Sequence, residues 1–399
     1  MASAQGSAPA TTKDGLPANF RPPRAVADVI NTEEELTTED SYTQWKRKEL
    51  AKFVEALKQP KPTPAHIKLI EDACRMRVDR LSLKQHRNNL KPVRVEIYRD
   101  VHLQATTATR EIALKVMTSE AERLLAGNLS VRLQALILLA ELETVPANPA
   151  KNAPAVLYPE AINVCLKVLN DKSQPEAVRL LAASQTEKLV RESGLSTNPP
   201  AKLRVEAGRA LVPLVLQSGG SDWYQKALIG AVQAVNLPTL PDAANTQQPL
   251  IATSLHKVLS DSKRSLPVRV RAANALGLVT LPASGVDVGT MTKDCLKLGR
   301  EVVADYNSAA LNRTKDAFLL QDIYLGLKAW RNAAPNDKNV GAAYTAILKP
   351  TSAALLALNT PQPGPLPNTV LDDINGLVGA DKSPTSADKQ GVLATPNKN

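Results

Sequence analysis

The 399-residue chain predicts an all-α fold, a right-handed solenoid of stacked antiparallel helix pairs. Three observations predict it. Apolar residues make up 43% of the chain and recur at spacings of three and four rather than two. Ala, Leu and Val supply that apolar mass while aromatics reach only 3%, a mix that favours close-packed helices. The segment "KVLNDKSQPEAVRLLAA" at 167–183 returns 90 residues later as "KVLSDSKRSLPVRVRAA" at 257–273, with Lys-Val-Leu, Asp, Val-Arg and Ala-Ala at identical offsets.

Taken in order, residues 1–40 are rich in Ala, Pro, Thr, Asp and Glu, carry no lasting period, and predict disorder. Residues 41–104 predict a basic helical cap. The solenoid runs over 105–358, with helices near 110–126, 128–143, 158–170, 175–193, 199–218, 222–236, 248–260, 267–280, 292–308, 314–332 and 339–357. The tail 359–399 is rich in Pro, Thr and Lys and predicts at most one short helix, over Thr369–Val378. The punctuation is helical throughout. Gly127, Gly194 and Gly219-Gly220 follow helical runs and suit C-terminal caps. Ser173-Gln-Pro-Glu176 matches a capping box with proline in the first turn. Asn198-Pro199 and Ser265-Leu-Pro267 place a cap and a proline in the same relation, and Ser221-Asp222 starts another helix. No strand pattern survives.

The displacement of 90 residues reads as two units of roughly 45. Arg132 lies 47 residues before Arg179 in the same Val-Arg-x-x-Ala core, and "LRVEAGRAL" at 203–211 carries that core at a spacing that suits the other helix of a pair. Val131, Arg132 and Ala135, then Val178, Arg179 and Ala182, then Val268, Arg269 and Ala272 are the predicted repeat-packing residues. On a helical wheel Val268, Ala272, Ala275, Leu276 and Val279 fall on one side. The far side holds Val270, Ala273 and Gly277, small and uncharged, so this helix is packed on both sides. Arg269 and Arg271 flank the stripe, where their stems cover the seam.

Asn128–Leu142, Pro175–Val190 and Pro267–Val279 resemble the second-helix pattern of the HEAT-repeat family, including its short form first described in phycobilin lyases. Asp171 and Asp261 resemble the aspartate of the family's inter-helix turn, here eight residues before the arginine and so more distant than in the compact consensus. The resemblance covers roughly residues 105–350. It implies an extended surface of the kind that binds another protein or a peptide; no cofactor and no catalysis are expected, because catalytic signatures are sparse. Such repeats serve many tasks, so the resemblance speaks more to fold than to function.

Catalytic signatures are sparse. His66, His86, His102 and His256 are scattered, and none sits in H-E-x-x-H. His256 reads as a structural histidine. Cys74, Cys165 and Cys295 are far apart and odd in number, which argues against a disulfide framework. There is no G-x-S-x-G, no Walker loop and no G-x-G-x-x-G. Two enzyme groups, phycobilin lyases and certain alkylpurine DNA glycosylases, use HEAT-like repeats; Trp223, Trp330 and Asp222 are the nearest candidates here for such a cleft. Asp372-Asp373 reads as the start of the tail helix.

Charge is the sharper signal. Residues 44–100 hold 15 Lys/Arg against 7 Asp/Glu, most of the chain's net +10. Arg75, Arg77, Arg80, Lys84, Arg87, Lys91, Arg94 and Arg99 are candidates for an anion-binding patch; the competing reading is a solvated terminal cap. Three functions are therefore open: a non-catalytic protein-interaction scaffold, which leads; a binder of nucleic acid or another polyanion through 44–100; and, less favoured, an enzyme. No run of 18 apolar residues occurs, so no membrane span is expected. No complete signal peptide is read, which suggests the cytoplasm. Ala2-Ser3-Ala4 also matches the end of an export signal cut short by a misplaced start, and export or a periplasmic location follows on that reading.

Overall fold

The computed structural model describes residues 35–86, 89–198, 200–308, 310–360 and 363–379. Fifteen α-helices lie among them, and the chain divides into two compact units, Met1–Gly194 and Leu195–Asn399.

The first unit holds α1 (Glu39–Leu57), α2 (Pro64–Asp79), α3 (Leu90–Gln104), α4 (Thr107–Leu124), α5 (Leu129–Leu139), α6 (Ala161–Asn170) and α7 (Glu176–Glu192). The starts are set by short polar side chains. Thr38, Thr106 and Asn128 each accept the backbone N–H three residues on, satisfying a donor the helix leaves open. Thr63 and His66 form a reciprocal capping box behind Pro64. Helix α4 packs on α2, α5 and α6, and α5 packs on α7, which pairs in turn with α6.

The second unit holds α8 (Lys202–Leu216), α9 (Asp222–Val235), α10 (Leu250–Ser260), α11 (Leu266–Leu278), α12 (Val288–Ser308), α13 (Arg313–Ala333), α14 (Lys338–Ala357) and α15 (Asp372–Val378). Consecutive helices pair as α8·α9, α10·α11 and α12·α13. Along the unit, α8, α10, α12 and α14 touch in series, as do α9, α11 and α13. The result is two layers of helices with the apolar core between them. Ala272, Ala275, Leu276 and Val268 of α11 are fully buried, and so are Val270 and Gly277 on its other side. Packing on both sides follows directly from that.

Most helix bounds fall within a few residues of the predicted ones. Three local readings are corrected. First, two short antiparallel hairpins exist: β1 (Glu143–Val145) with β2 (Val156–Leu157), and β3 (Leu240–Pro241) with β4 (Gln247–Gln248). Strands of two or three residues are too short to show a period of two. Each hairpin precedes a helix pair, so hairpin, helix, turn and helix recur in the same order at 143–192 and 240–278.

Second, Ser173 and Ser265 do not cap by side chain. Asp171 takes the work in the first turn: its Oδ1 accepts Ser173 N–H at 2.9 Å and Ser173 O–H at 2.6 Å. Asp261 does the same with Lys263 N–H at 3.1 Å and Arg264 Nε at 3.2 Å. The two aspartates hold φ/ψ of −83°/100° and −79°/95°. An aspartate that bonds the backbone two residues on offers an Asx turn, and it outcompetes the serine. At 198–201 the next helix starts from Ala201 without a side-chain cap.

Third, ordered packing extends past 358: Leu366, Val370 and Ile374 are buried, and α15 lies on α12 and α14. Of the disorder expected over 1–40, residues 1–34 fall outside the described residues, while α1 already begins at Glu39; in the tail, 380–399 also fall outside them.

Candidate functional site

Three arginines of the similar segments, Arg132, Arg204 and Arg269, share a task. A helix ends with carbonyls that lack an intrahelical donor, and a guanidinium can reach them. Arg132 Nε donates to Gly127 O at 2.6 Å, just past the end of α4. Arg269 Nε donates to Leu259 O at 2.9 Å, in the last turn of α10. Arg204, the arginine of "LRVEAGRAL", donates Nε to Val235 O at 2.7 Å and Nη2 to Ala234 O at 2.9 Å, both at the end of α9. Arg179 is half-buried at the matching place on α7. Val131, Val178, Val268, Ala135, Ala182 and Ala272 beside them are buried. Arg264, which the sequence reading passed over, does the same for α8 through Leu216 O at 2.9 Å.

Three of the residues singled out for anion binding, Arg77, Arg80 and Arg94, are buried. Arg77 is buried, donates to Asp100 Oδ2 at 2.6 Å, and lies over the Phe53 ring at 4.6 Å and the Trp45 ring at 5.5 Å. Arg80 is buried between Glu39 and Glu96 over the Tyr42 ring. Arg94 is buried and holds Glu141 and the Gln134 carbonyl. Arg75 is exposed but paired with Glu120 at 2.8 Å. Arg99 is exposed beside Asp100. Lys84 lies in a short 3-10 turn, where its backbone N–H meets the Glu35 carboxylate. Lys91 is exposed in the first turn of α3, and Arg87 lies outside the described residues. Net charge over a segment counts cations without showing which carboxylates, distant in sequence, fold against them.

Glu96 is the hub of this network. Burial alone would raise its pKa, but hydrogen bonds from Arg80, Lys46 and Tyr42 hold it at about 2 against an ordinary 4.5. A group whose folded pKa is depressed contributes stability above its unfolded pKa and loses it as the pH falls through the folded one. The melting temperature should therefore drop between pH 4.5 and 2, and this drop should be shallower in Glu96→Gln. Thermal melts across that range check it, and parallel pH profiles for the two proteins would sink the assignment.

The other three histidines lie against carboxylates. His256 Nε2 sits 2.9 Å from Asp294 Oδ2, and His86 Nε2 sits 2.9 Å from Glu39 Oε2. His102 Nδ1 faces Glu143 at 2.8 Å. The three cysteines are buried, and burial pushes each thiol up to about 12. Among the described residues no group of three His, Cys, Asp or Glu is placed to hold a metal ion. Trp330 is buried while Trp223 faces solvent, and Asp222 accepts the Ser265 hydroxyl at 2.7 Å.

One surface in the second unit stands out. It is the outer side of α9, α11 and α13. Trp223 at the start of α9 is 71% exposed, with Lys226 Nζ 4.4 Å from its ring centre. Asp322 of α13 lies in the field of both Lys226 and Arg271; burial is the larger influence and raises its pKa, and the two cations oppose it. Phe318 and Leu325, on the same stripe of α13 as Asp322, are 53% and 42% exposed. The row is held square by Asn274, whose side-chain amide donates to Asp322 O at 2.9 Å and whose Oδ1 accepts from Arg271. Arg271, which does not recur in the repeat, is thus half-exposed among these groups. Only Arg271, Trp223 and the small, uncharged side of α11 with Val270, Ala273 and Gly277 were legible beforehand.

The fold and this surface define an all-α protein of packed helix pairs. No family model matches the chain, and no curated protein matches it. No helix among the described residues is long and apolar enough to cross a membrane.

Proposed function

We propose that the chain is a non-catalytic interaction scaffold, each unit built of right-handed, HEAT-like helix pairs, with the outer face of α9, α11 and α13 as its working surface for another protein. The repeat is supported by a period in the tertiary hydrogen bonds. Arg75–Glu120 and Lys167–Glu122 are 45 residues apart, Arg94–Glu141 47, Lys188–Ala140 48. In the second unit Ser265–Asp222 are 43 apart, Thr280–Asn236 44, Arg264–Leu216 and Asn274–Asp322 48. Each of these pairs joins elements about one proposed unit apart, as stacked repeats do.

The observation that carries the function is the exposed Trp223, Phe318 and Leu325 beside Lys226, Arg271 and Asp322 on one face. Large apolar side chains rimmed by charge mark interaction surfaces, and tryptophan and arginine lead the residues that anchor them. Replacing Trp223 and Phe318 together by serine should leave the melting temperature nearly unchanged. It should cut partner recovery from the native cell at least tenfold, by affinity capture and mass spectrometry. Undiminished recovery would remove this face from consideration.

The polyanion reading rests on fewer side chains than the sequence suggests. It retains exposed cations on α1 and at its C-terminal end: Arg47 and Lys48, with Lys52 paired to Glu49 and Lys58 to Glu55. Phosphate-driven binding weakens steeply between about 50 and 200 mM salt, and a titration with duplex DNA over that range tests it.

A further inference from the structure

The outer face of α9, α11 and α13 carries a charge imbalance as well as exposed apolar side chains. The three helices hold seven Lys and Arg against three Asp and no Glu. Asp316 is buried and Asp222 accepts the Ser265 hydroxyl, so Asp322 is the carboxylate left among the cations of this face. Two arginines nearby are matched: Arg264 meets Asp261 and Arg269 meets Glu301. Lys226, Arg271 and Lys328 form no ion pair among the described residues.

These cations are set among the apolar groups. Lys226 lies over the Trp223 ring. Lys226 and Arg271 both act on Asp322, so α9, α11 and α13 stand side by side at that level. Leu278, 44% exposed, lies two turns beyond Arg271 on the same stripe of α11. The backbones of Gly277 and Gly326 approach closely, which brings Leu278 and Leu325 to one level of the face. Lys328 is exposed three residues beyond Leu325, the spacing of neighbours on a helix. Apolar and cationic side chains therefore interleave from Trp223 to Lys328.

That interleaving defines what fits. Large apolar side chains leave water only under apolar cover. A cation covered along with them needs a carboxylate. Lys328 follows Asp322 by six residues, about 9 Å along the axis, so one small anion does not serve both ends. Nucleic acid brings phosphates, but Asp322 repels them from the middle of the face, and Leu278 and Leu325 offer no ring for a base. A polypeptide with acidic residues beside large apolar ones answers both demands, and the unpaired cations repel a basic competitor.

We propose that this face binds an acidic segment of a partner protein, with Asp or Glu against Lys226, Arg271 and Lys328 and large apolar side chains against Trp223, Phe318 and Leu325. The proposal rests on the interaction reading and adds the chemistry of the partner.

The test is selection of random dodecapeptides displayed on phage against the full chain, followed by direct binding of the enriched peptides. Sequences that combine Asp or Glu with Trp, Phe or Leu are expected, and their binding should weaken severalfold between about 50 and 200 mM salt. Lys226→Glu with Lys328→Glu should weaken it at least tenfold. The same variant, selected afresh, should enrich Lys- and Arg-containing sequences, a reversal that a misfolded protein does not produce. Uncharged or basic sequences from the parent chain, or no enrichment over bare support, overturn the proposal. So does a single-stranded DNA oligonucleotide that binds more tightly than every enriched peptide and is lost in the charge variant, since it assigns the face to nucleic acid. Binding that survives the charge variant but is lost in Trp223→Ser with Phe318→Ser overturns the acidic partner and leaves the face as an interaction surface. Binding that survives both variants overturns both readings.

Discussion

Gly277→Ala should destabilise the second unit by on the order of 3 kcal/mol, near the top of the range for overpacking, and lower its melting temperature accordingly. A Cβ at Gly277 would stand 2.0 Å from Gly326 O and 2.4 Å from Gly326 C. Both atoms are backbone in the middle of α13, so no side chain can swing aside. Relief requires α11 and α13 to separate, and their separation opens the layer that Val270 and Ala273 fill. Gly326→Ala meets Asn274 Cα at 2.8 Å and Ala273 O at 3.0 Å, a milder clash that should destabilise less. Gly341→Ala is the control. It lies within α14 with nothing inside 4 Å of the added carbon, and it should gain up to about 1 kcal/mol, because alanine restricts the unfolded chain more than glycine does. Thermal and denaturant melts of the three variants decide the matter. A Gly277→Ala protein as stable as the parent would mean that the two backbones do not cross here.

The sequence already places Gly277 on a small, uncharged side of its helix, so packing on both sides was legible there. Its partner was not. Gly326 sits in a predicted helix with no periodicity to mark it, and which backbone faces Gly277 is decided by how α13 crosses α11. The same division runs through the molecule. Helix bounds follow local rules, and proline, threonine and asparagine at the starts place them well. Turn chemistry is more subtle: Ser173 and Glu176 fit a capping box by spacing, yet Asp171 two residues earlier bonds the same turn more directly. Charge counting overstated the exposed charge of the basic segment, because Arg80 and Arg94 meet carboxylates 41 and 47 residues away. Those separations lie near half of the 90-residue echo in the sequence, so that echo carried information about ion pairs that charge counting discarded. The open face of α9, α11 and α13 needed three non-adjacent helices brought side by side, and no segment of sequence contains it.

Arg204→Met should be the most destabilising of the arginine substitutions, at about 3 kcal/mol, since each buried polar group stripped of its partner loses roughly 1–3 kcal/mol. Methionine keeps the stem and its packing but removes every donor. Val235 O, Ala234 O and Leu195 O would then lose their bonds to the guanidinium. Two of them end α9, where the helix dipole also favours a cation. Arg269→Met gives up one carbonyl, Leu259 O, and a bidentate pair with half-exposed Glu301, so its loss should be smaller, about 1–2 kcal/mol. Arg271→Met breaks a single 3.3 Å bond to Asn274 and should stay within about 0.5 kcal/mol, as surface changes usually do. The order matters more than the sizes, because it separates two uses of the same residue. If arginine served this fold only through surface charge, the half-exposed Arg271 would matter as much as its buried neighbours. Hydrogen exchange gives a local readout: amides in the last turn of α9 should lose protection in Arg204→Met and keep it in Arg271→Met. Equal loss in both variants, or none in Arg204→Met, would show that the carbonyls at the end of α9 are satisfied by something other than this guanidinium.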